Sequence, residues 1–239
     1  SLQLKAGDQI LLASGVTFYE PLILENIAGS KGNEIIVSSY TVNPTEKNKI
    51  TYIDASGYLH GILLENCSHI KINNIDITAN TYKRREEINN EPEMVCGVLI
   101  NTSRKGVYEN VILKDLSIHD IFFEPPGFKR GEDEVRTANG SQNYGWGIRA
   151  INRTEGALIK NIEINDSHIQ NVAHTGIKFT SFTKGIQGIK VFNNEVLFTG
   201  GPGIQMSGVH DGIIKNNIVN YSGSTDDSRK WGRGSGLWT

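Results

Sequence analysis

The sequence predicts an all-β chain wound as a solenoid, in which short parallel strands stack coil upon coil into three parallel sheets around one core. Three observations carry that prediction. A start made of glycine, an aliphatic residue, an outward position and a second inward residue recurs along the chain; a second block of alternating residues follows each start; and an Asn or Asp holds one column of that block.

The starts are "GILL" at 61, "GVLI" at 97, "GIRA" at 147, "GIKF" at 176, "GIQM" at 203 and "GLW" at 236. Successive glycines lie 36, 50, 29, 27 and 33 residues apart. The shortest interval measures the repeating unit, and the excess measures insertions. These fall at 80–95, 122–145 and 222–234, each between the third strand of one coil and the first strand of the next. The chain is therefore read as a single domain, 1–239, with an opening segment and first coils over 1–59 and regular coils over 60–239.

The second blocks are "IKINNIDI" (70–77), "VILKDLSI" (111–118), "IEINDSHI" (162–169), "IKVFNNEV" (189–196) and "GIIKNNIV" (212–219). Aligned, they place Asn74, Asp115, Asp166, Asn193 and Asn216 in one column. Asn and Asp tolerate the left-handed conformation, so the column marks a bend between two strands. On either side the alternation has period two, and β-branched residues dominate, which excludes a helix. The inward residues Ile62, Val98, Ile148, Ile177 and Ile204, with Leu64, Ile100 and Phe179, form the expected core.

Composition narrows the function. The 24 basic and 26 acidic side chains leave a formal charge of −2, which argues against nucleic acid as the partner. No run of about eighteen apolar residues predicts a membrane span. The chain opens at Ser1 without the features of a secretion signal, so a signal either has been removed or never existed. Cys67 and Cys96 sit at opposite ends of their strands, roughly 13 Å apart or more, and two free buried thiols are expected.

On these starts, blocks and opening stretches ("LKAGDQILLASGVTF", "GSKGNEIIVSSY"), the chain resembles the right-handed parallel β-helix of the pectate lyase-like superfamily over nearly its whole length. The resemblance implies a secreted or periplasmic carbohydrate-active protein whose corner loops wall a groove across the first strands. The N-T-D element, paired aspartate, G-H-G and R-I-K element of polygalacturonase-type members are not intact here, and "GIKF" is a distant echo of the last. The final "SGLWT" starts a coil and stops, so truncation at the C-terminus is expected, and the chain is read as a monomer.

The expected groove floor is the outward column Leu63, Leu99, Arg149, Lys178, Gln205 and Trp238. Coils lie ~4.8 Å apart, so Arg149 and Lys178 stack as like charges unless an anion lies between them. That suits an acidic sugar; acidic side chains such as Glu65 or those of "GEDEV" (131–135) are the plain alternative. His174 precedes the Lys178 strand as an acid or base, or as a turn cap. His119 with Asp120 closes another corner, and His210 with Asp211 fits a turn. Tyr144, Trp146, Trp231 and Trp238 either stack on sugars or cover the core edge.

Three functions remain open. A polysaccharide lyase uses Arg149 for the uronate carboxylate and Lys178 or His174 for the proton, a neighbouring cation lowering a lysine's pKa toward a useful value. A glycoside hydrolase needs two facing carboxylates, which the floor lacks and coils beyond Thr239 could supply. A non-catalytic carbohydrate-binding or adhesive β-helix binds without turnover. Carboxylates in "GEDE" and "STDD" make calcium a candidate cofactor, and no His or Cys spacing reads as zinc.

Overall fold

In the computed structural model, which describes residues 3–41, 50–82, 94–126, 145–182, 184–224 and 234–239, the chain is a stack of coils built from strands, turns and bends. Every ladder between its strands is parallel, as in a β-helix solenoid. Leu22–Glu25, His60–Glu65, Val95–Asn101, Gly145–Asn152, Ile177–Ser181, Ile204–Ser207 and Leu237–Trp238 form a seven-stranded sheet, each bonded to its equivalent one coil away. The strands Ile70–Asn80, Gly106–Phe122 and Ile218–Ser222 lead into the expected insertions. Most of the insertions' residues lie outside the described ones.

The hydrogen bonds join two of the three expected faces. These two faces form one fourteen-stranded sheet, because strands such as Ile70–Asn80 and Gly106–Phe122 run through their bends without breaking the ladder. The bend column is as the alignment places it: Asn74, Asp115, Asp166, Asn193 and Asn216 all have φ between 51° and 57°. Two further left-handed columns flank it. One contains His69, Asn110, Asn161, Gly188 and Asp211, and the other Asp120, Asn171, Phe198 and Tyr221.

The paired asparagines divide their labour. Asn193 and Asn216 take the bend, while Asn194 and Asn217 turn their amides to the backbone of the adjoining coil. Asn194 Nδ2 donates to the Ile164 carbonyl at 3.0 Å and its Oδ1 accepts from the Ser167 N–H at 3.0 Å. Asn217 repeats the pattern on Val191 and Asn194, at 2.9 Å each. Backbone groups that a turn leaves without ladder partners are thus satisfied inside the stack.

The core follows the predicted parity. Ile62, Val98, Ile148, Ile177 and Ile204 form one register column, and Leu64, Ile100, Ala150, Phe179 and Met206 another, all buried. The glycine that opens each start is there for space rather than for φ, since none of the five from Gly61 to Gly203 has a positive one. A Cβ on Gly147 would lie 2.5 Å from the Gly176 carbonyl oxygen and 2.6 Å from the Ile169 Cγ2. Gly61, Gly97, Gly176 and Gly203 meet the same two obstacles, the next glycine's oxygen and a β-branched side chain of the third strand.

Two substitutions check these assignments in urea unfolding. Ile177→Ala should cost about 2–5 kcal/mol as a core truncation. Gly176→Ala should cost about 1–3 kcal/mol through overpacking, although alanine is the better residue for an unconstrained strand. A neutral Gly176→Ala would remove the steric reading of the glycine column.

Candidate functional site

The outward column forms as expected. Leu63 faces Leu99, Leu99 faces Arg149, Arg149 faces Lys178, Lys178 faces Gln205, and Gln205 faces Trp238 on successive rungs. This face is not an open surface, however. Arg149 is 3% exposed, Lys178 8% and Gln205 7%. Outward apolar residues pack into a second cluster of Cys96, Leu99, Trp146 and Ile151, with Leu63 and Met94 against it.

A cleft of about 210 Å³ opens on this face. Trp146, Arg149, Lys178 and Gln205 form its inner rank, Thr180 and Ser207 the middle, and Arg153 with Phe182 the outer end. The Arg149 guanidinium lies 4.1 Å above the Trp146 ring. One indole face therefore supports a cation. Burial pulls Arg149 down to about 10, with a smaller contribution in the same direction from Arg153, so it is charged at neutral pH. Its buried Nε and Nη1 have no hydrogen-bond partner among the described residues. A buried cation in that state is stabilised by any anion that reaches it.

His174 is buried beside the cleft and not in its lining. Its Nδ1 is 2.6 Å from the Thr175 hydroxyl, and its ring packs on Trp146 with centroids 5.6 Å apart. Trp238 is exposed on the last rung, next to Gln205. Tyr144 and Trp231 lie outside the described residues, as do 131–134 and 225–227, the carboxylates considered for calcium. Among the described residues no group of three or more His, Cys, Asp or Glu is placed to hold a metal. Arg153, Thr180, Phe182 and Ser207 were not anticipated from sequence, although extending the outward parity of each start by two or four residues reaches all of them.

Other titratable groups lie outside the lining of the cleft. Cys67 and Cys96 are free and buried, and burial pushes their thiols up to about 11 and about 12, so neither is a nucleophile at neutral pH. Burial pulls His60 down to about 4 and leaves it neutral. On the opposite sheet His119 bridges two carboxylates, with Nε2 3.2 Å from Asp76 and Nδ1 2.7 Å from Asp120, and stacks on Tyr52. Both ring nitrogens are engaged, so this is a cross-rung clamp. Burial pushes the Asp76 carboxyl up, but hydrogen bonds from His119 and Ser117 outweigh it and leave it below its usual value.

No protein-family model matches the sequence, and a search of curated proteins finds no match. Among solved structures the fold matches two of the GH136 lacto-N-biosidase from Eubacterium ramulus, native and selenomethionine, each with TM-score 0.71 and 19% identity. The match covers all of this chain and 45% of theirs, so the chain spans under half the length of those proteins. An alginate lyase from Paenibacillus sp. str. FPU-7 overlaps 90% of the chain at 14% identity, with a TM-score of only 0.30. At these identities the likeness establishes the β-helix fold.

The His119 clamp makes a prediction with a definite sign. The Asp76 and Asp120 carboxylates raise the imidazole from 6.5 to about 9 against the opposing effect of burial. Its contribution to stability is therefore complete below pH 6.5 and is lost as pH rises through about 9. The difference in Tm between wild type and His119→Gln should be largest near about pH 6 and vanish by about pH 10. A difference that grows with pH would contradict the clamp.

Proposed function

We propose that the chain is part of a secreted or periplasmic carbohydrate-active enzyme that cleaves glycosidic bonds of an acidic polysaccharide at the Arg149 cleft, by β-elimination. The observation that carries this reading is the buried guanidinium of Arg149, without a hydrogen-bond partner for Nε and Nη1 among the described residues, in a cleft it shares with Lys178 and Arg153. A uronate carboxylate complements that arrangement in charge and in geometry.

In this reading Arg149 holds the carboxylate and stabilises the negative charge that develops on it. Lys178, from the facing rung, removes the proton α to the carboxylate. The electrons of that C–H bond form a carbon–carbon double bond as the bond to the leaving oxygen breaks, and an acid protonates that oxygen. Gln205, one rung on, supplies hydrogen bonds to sugar hydroxyls. His174 is the other proton carrier considered, and Trp146 stands between it and the cleft.

A glycoside hydrolase is the second reading. It is favoured by the E. ramulus structures that share the fold, which are of a lacto-N-biosidase, and it requires a carboxylate pair outside the described floor. The absorbance of an unsaturated product separates the two. With uronic-acid polysaccharides, β-elimination creates an ultraviolet-absorbing double bond, whereas sugar release without it indicates hydrolysis.

Arg149→Ala should weaken binding of an acidic oligosaccharide by about 1.5–3 kcal/mol and affect a neutral one less. Lys178→Ala should abolish turnover and leave affinity within about a few fold, because proton abstraction belongs to the transition state. Wild-type turnover in the Lys178 variant would remove it from the catalytic step.

A further inference from the structure

The cleft runs along the strands, whereas the floor column runs along the stack. On one rung Arg149, Ile151 and Arg153 alternate outward; on the next, Lys178, Thr180 and Phe182 do so. Arg149 pairs with Lys178 and Ile151 with Thr180, so Arg153 and Phe182 follow at the same rank just past the strand ends. Four residues of strand separate the inner rank from the outer, roughly 13 Å. That length accommodates more than one sugar ring.

The outer end has its own chemistry. Phe182 is 69% exposed, the highest value among the exposed large hydrophobics described. It contributes little to the core, and its ring stands at the mouth of a cleft whose inner wall is cationic. The Arg153 guanidinium lies 5.8 Å from the ring centroid, near enough for the negative ring face to attract it. An aromatic face takes the C–H face of a pyranose, and the guanidinium beside it takes a carboxylate.

We propose that Phe182 and Arg153 form a second sugar subsite, so that an acidic oligosaccharide crosses the coils parallel to the strands, with one carboxylate on Arg149 and a neighbouring uronate stacked on Phe182 beside Arg153. This rests on the reading of Arg149 as the carboxylate-binding residue. It differs from a chain laid along the stack toward Trp238, since the two directions recruit different aromatic residues.

Isothermal titration calorimetry of the 239-residue chain with trigalacturonate, trimannuronate and monomeric galacturonate tests the proposal. Circular dichroism checks that each variant is folded, and Phe182 and Arg153 lie outside the core, so their variants keep the test usable if Arg149→Gln does not fold. Phe182→Ala and Arg153→Gln should each weaken the trisaccharide that binds by about tenfold, equivalent to 1.4 kcal/mol. Monomer affinity should stay within about twofold, Phe182→Tyr should restore trisaccharide binding, and Trp238→Ala should leave it unchanged. Wild-type trisaccharide affinity in Phe182→Ala and Arg153→Gln, or loss in Trp238→Ala alone, overturns the second subsite and leaves the role of Arg149 standing. Failure of the wild type to bind either trisaccharide, or wild-type affinity in a folded Arg149→Gln variant, overturns the role of Arg149 and the subsite with it.

Discussion

The close approach of each coil's first strand to its third strand sets the geometry of the whole stack. At Gly61, Gly97, Gly147, Gly176 and Gly203 a Cβ would collide with the next glycine's carbonyl and with a β-branched side chain of the third strand. The third-strand residues are Ile77, Ile118, Ile169, Val196 and Val219, themselves one register column of the core. Glycine thus lets the sheet corner close while the isoleucine column fills the space, and neither works alone. Because each glycine also meets the carbonyl of the next, the constraint passes from coil to coil and fixes the register in which outward side chains align.

That register makes one face out of residues distant in sequence. Arg149, Lys178 and Gln205 belong to three coils, yet successive ladders bring them to neighbouring rungs. Its apolar members Cys96, Leu99, Trp146 and Ile151 are buried and pack into a cluster of their own. Trp146 belongs both to this cluster and to the cation site, since its ring supports the Arg149 guanidinium. An arginine held in this way keeps its charge in a place where water does not screen it well, which strengthens its attraction for an anion and raises the cost of having none.

The repeating parts of the structure were legible because repetition averages out local ambiguity. Five aligned blocks identify a bend at Asn74 and its equivalents, and six starts identify the inward column at Ile177. The third left-handed column was hidden because Phe198 and Tyr221 occupy it, and neither residue type signals positive φ. Their rings instead stack face to face, with centroids 4.6 Å apart and planes 3° from parallel. Burial of the outward face was also hidden, since alternation assigns side chains to a face and is silent on what covers that face. Phe182 and Arg153 escaped because they lie one residue beyond the ends of their strands, where the repeat pattern gives way.

Charges on adjacent rungs are handled in more than one way. Elsewhere on the outer surface neighbouring coils pair opposite signs: Glu163 with Lys190 at 4.0 Å, and His168 with Glu195 at 2.8 Å. Like charges also stack: at Asp115 and Asp166, Lys114 reaches both, at 3.7 and 3.4 Å, and where Glu25 faces Glu65, the Glu65 carboxylate accepts from Ser103 Oγ at 2.7 Å and Asn101 Nδ2 at 3.2 Å. Arg149 faces Lys178 instead, with Arg153 close enough to lower its pKa. The chain neutralises its stacked aspartates with a lysine of its own, and among the described residues no carboxylate is paired with Arg149 or Arg153. Arg149 is thus a buried cation whose charge the described carboxylates leave unanswered, and its burial makes its attraction for an anion larger than it would be in water.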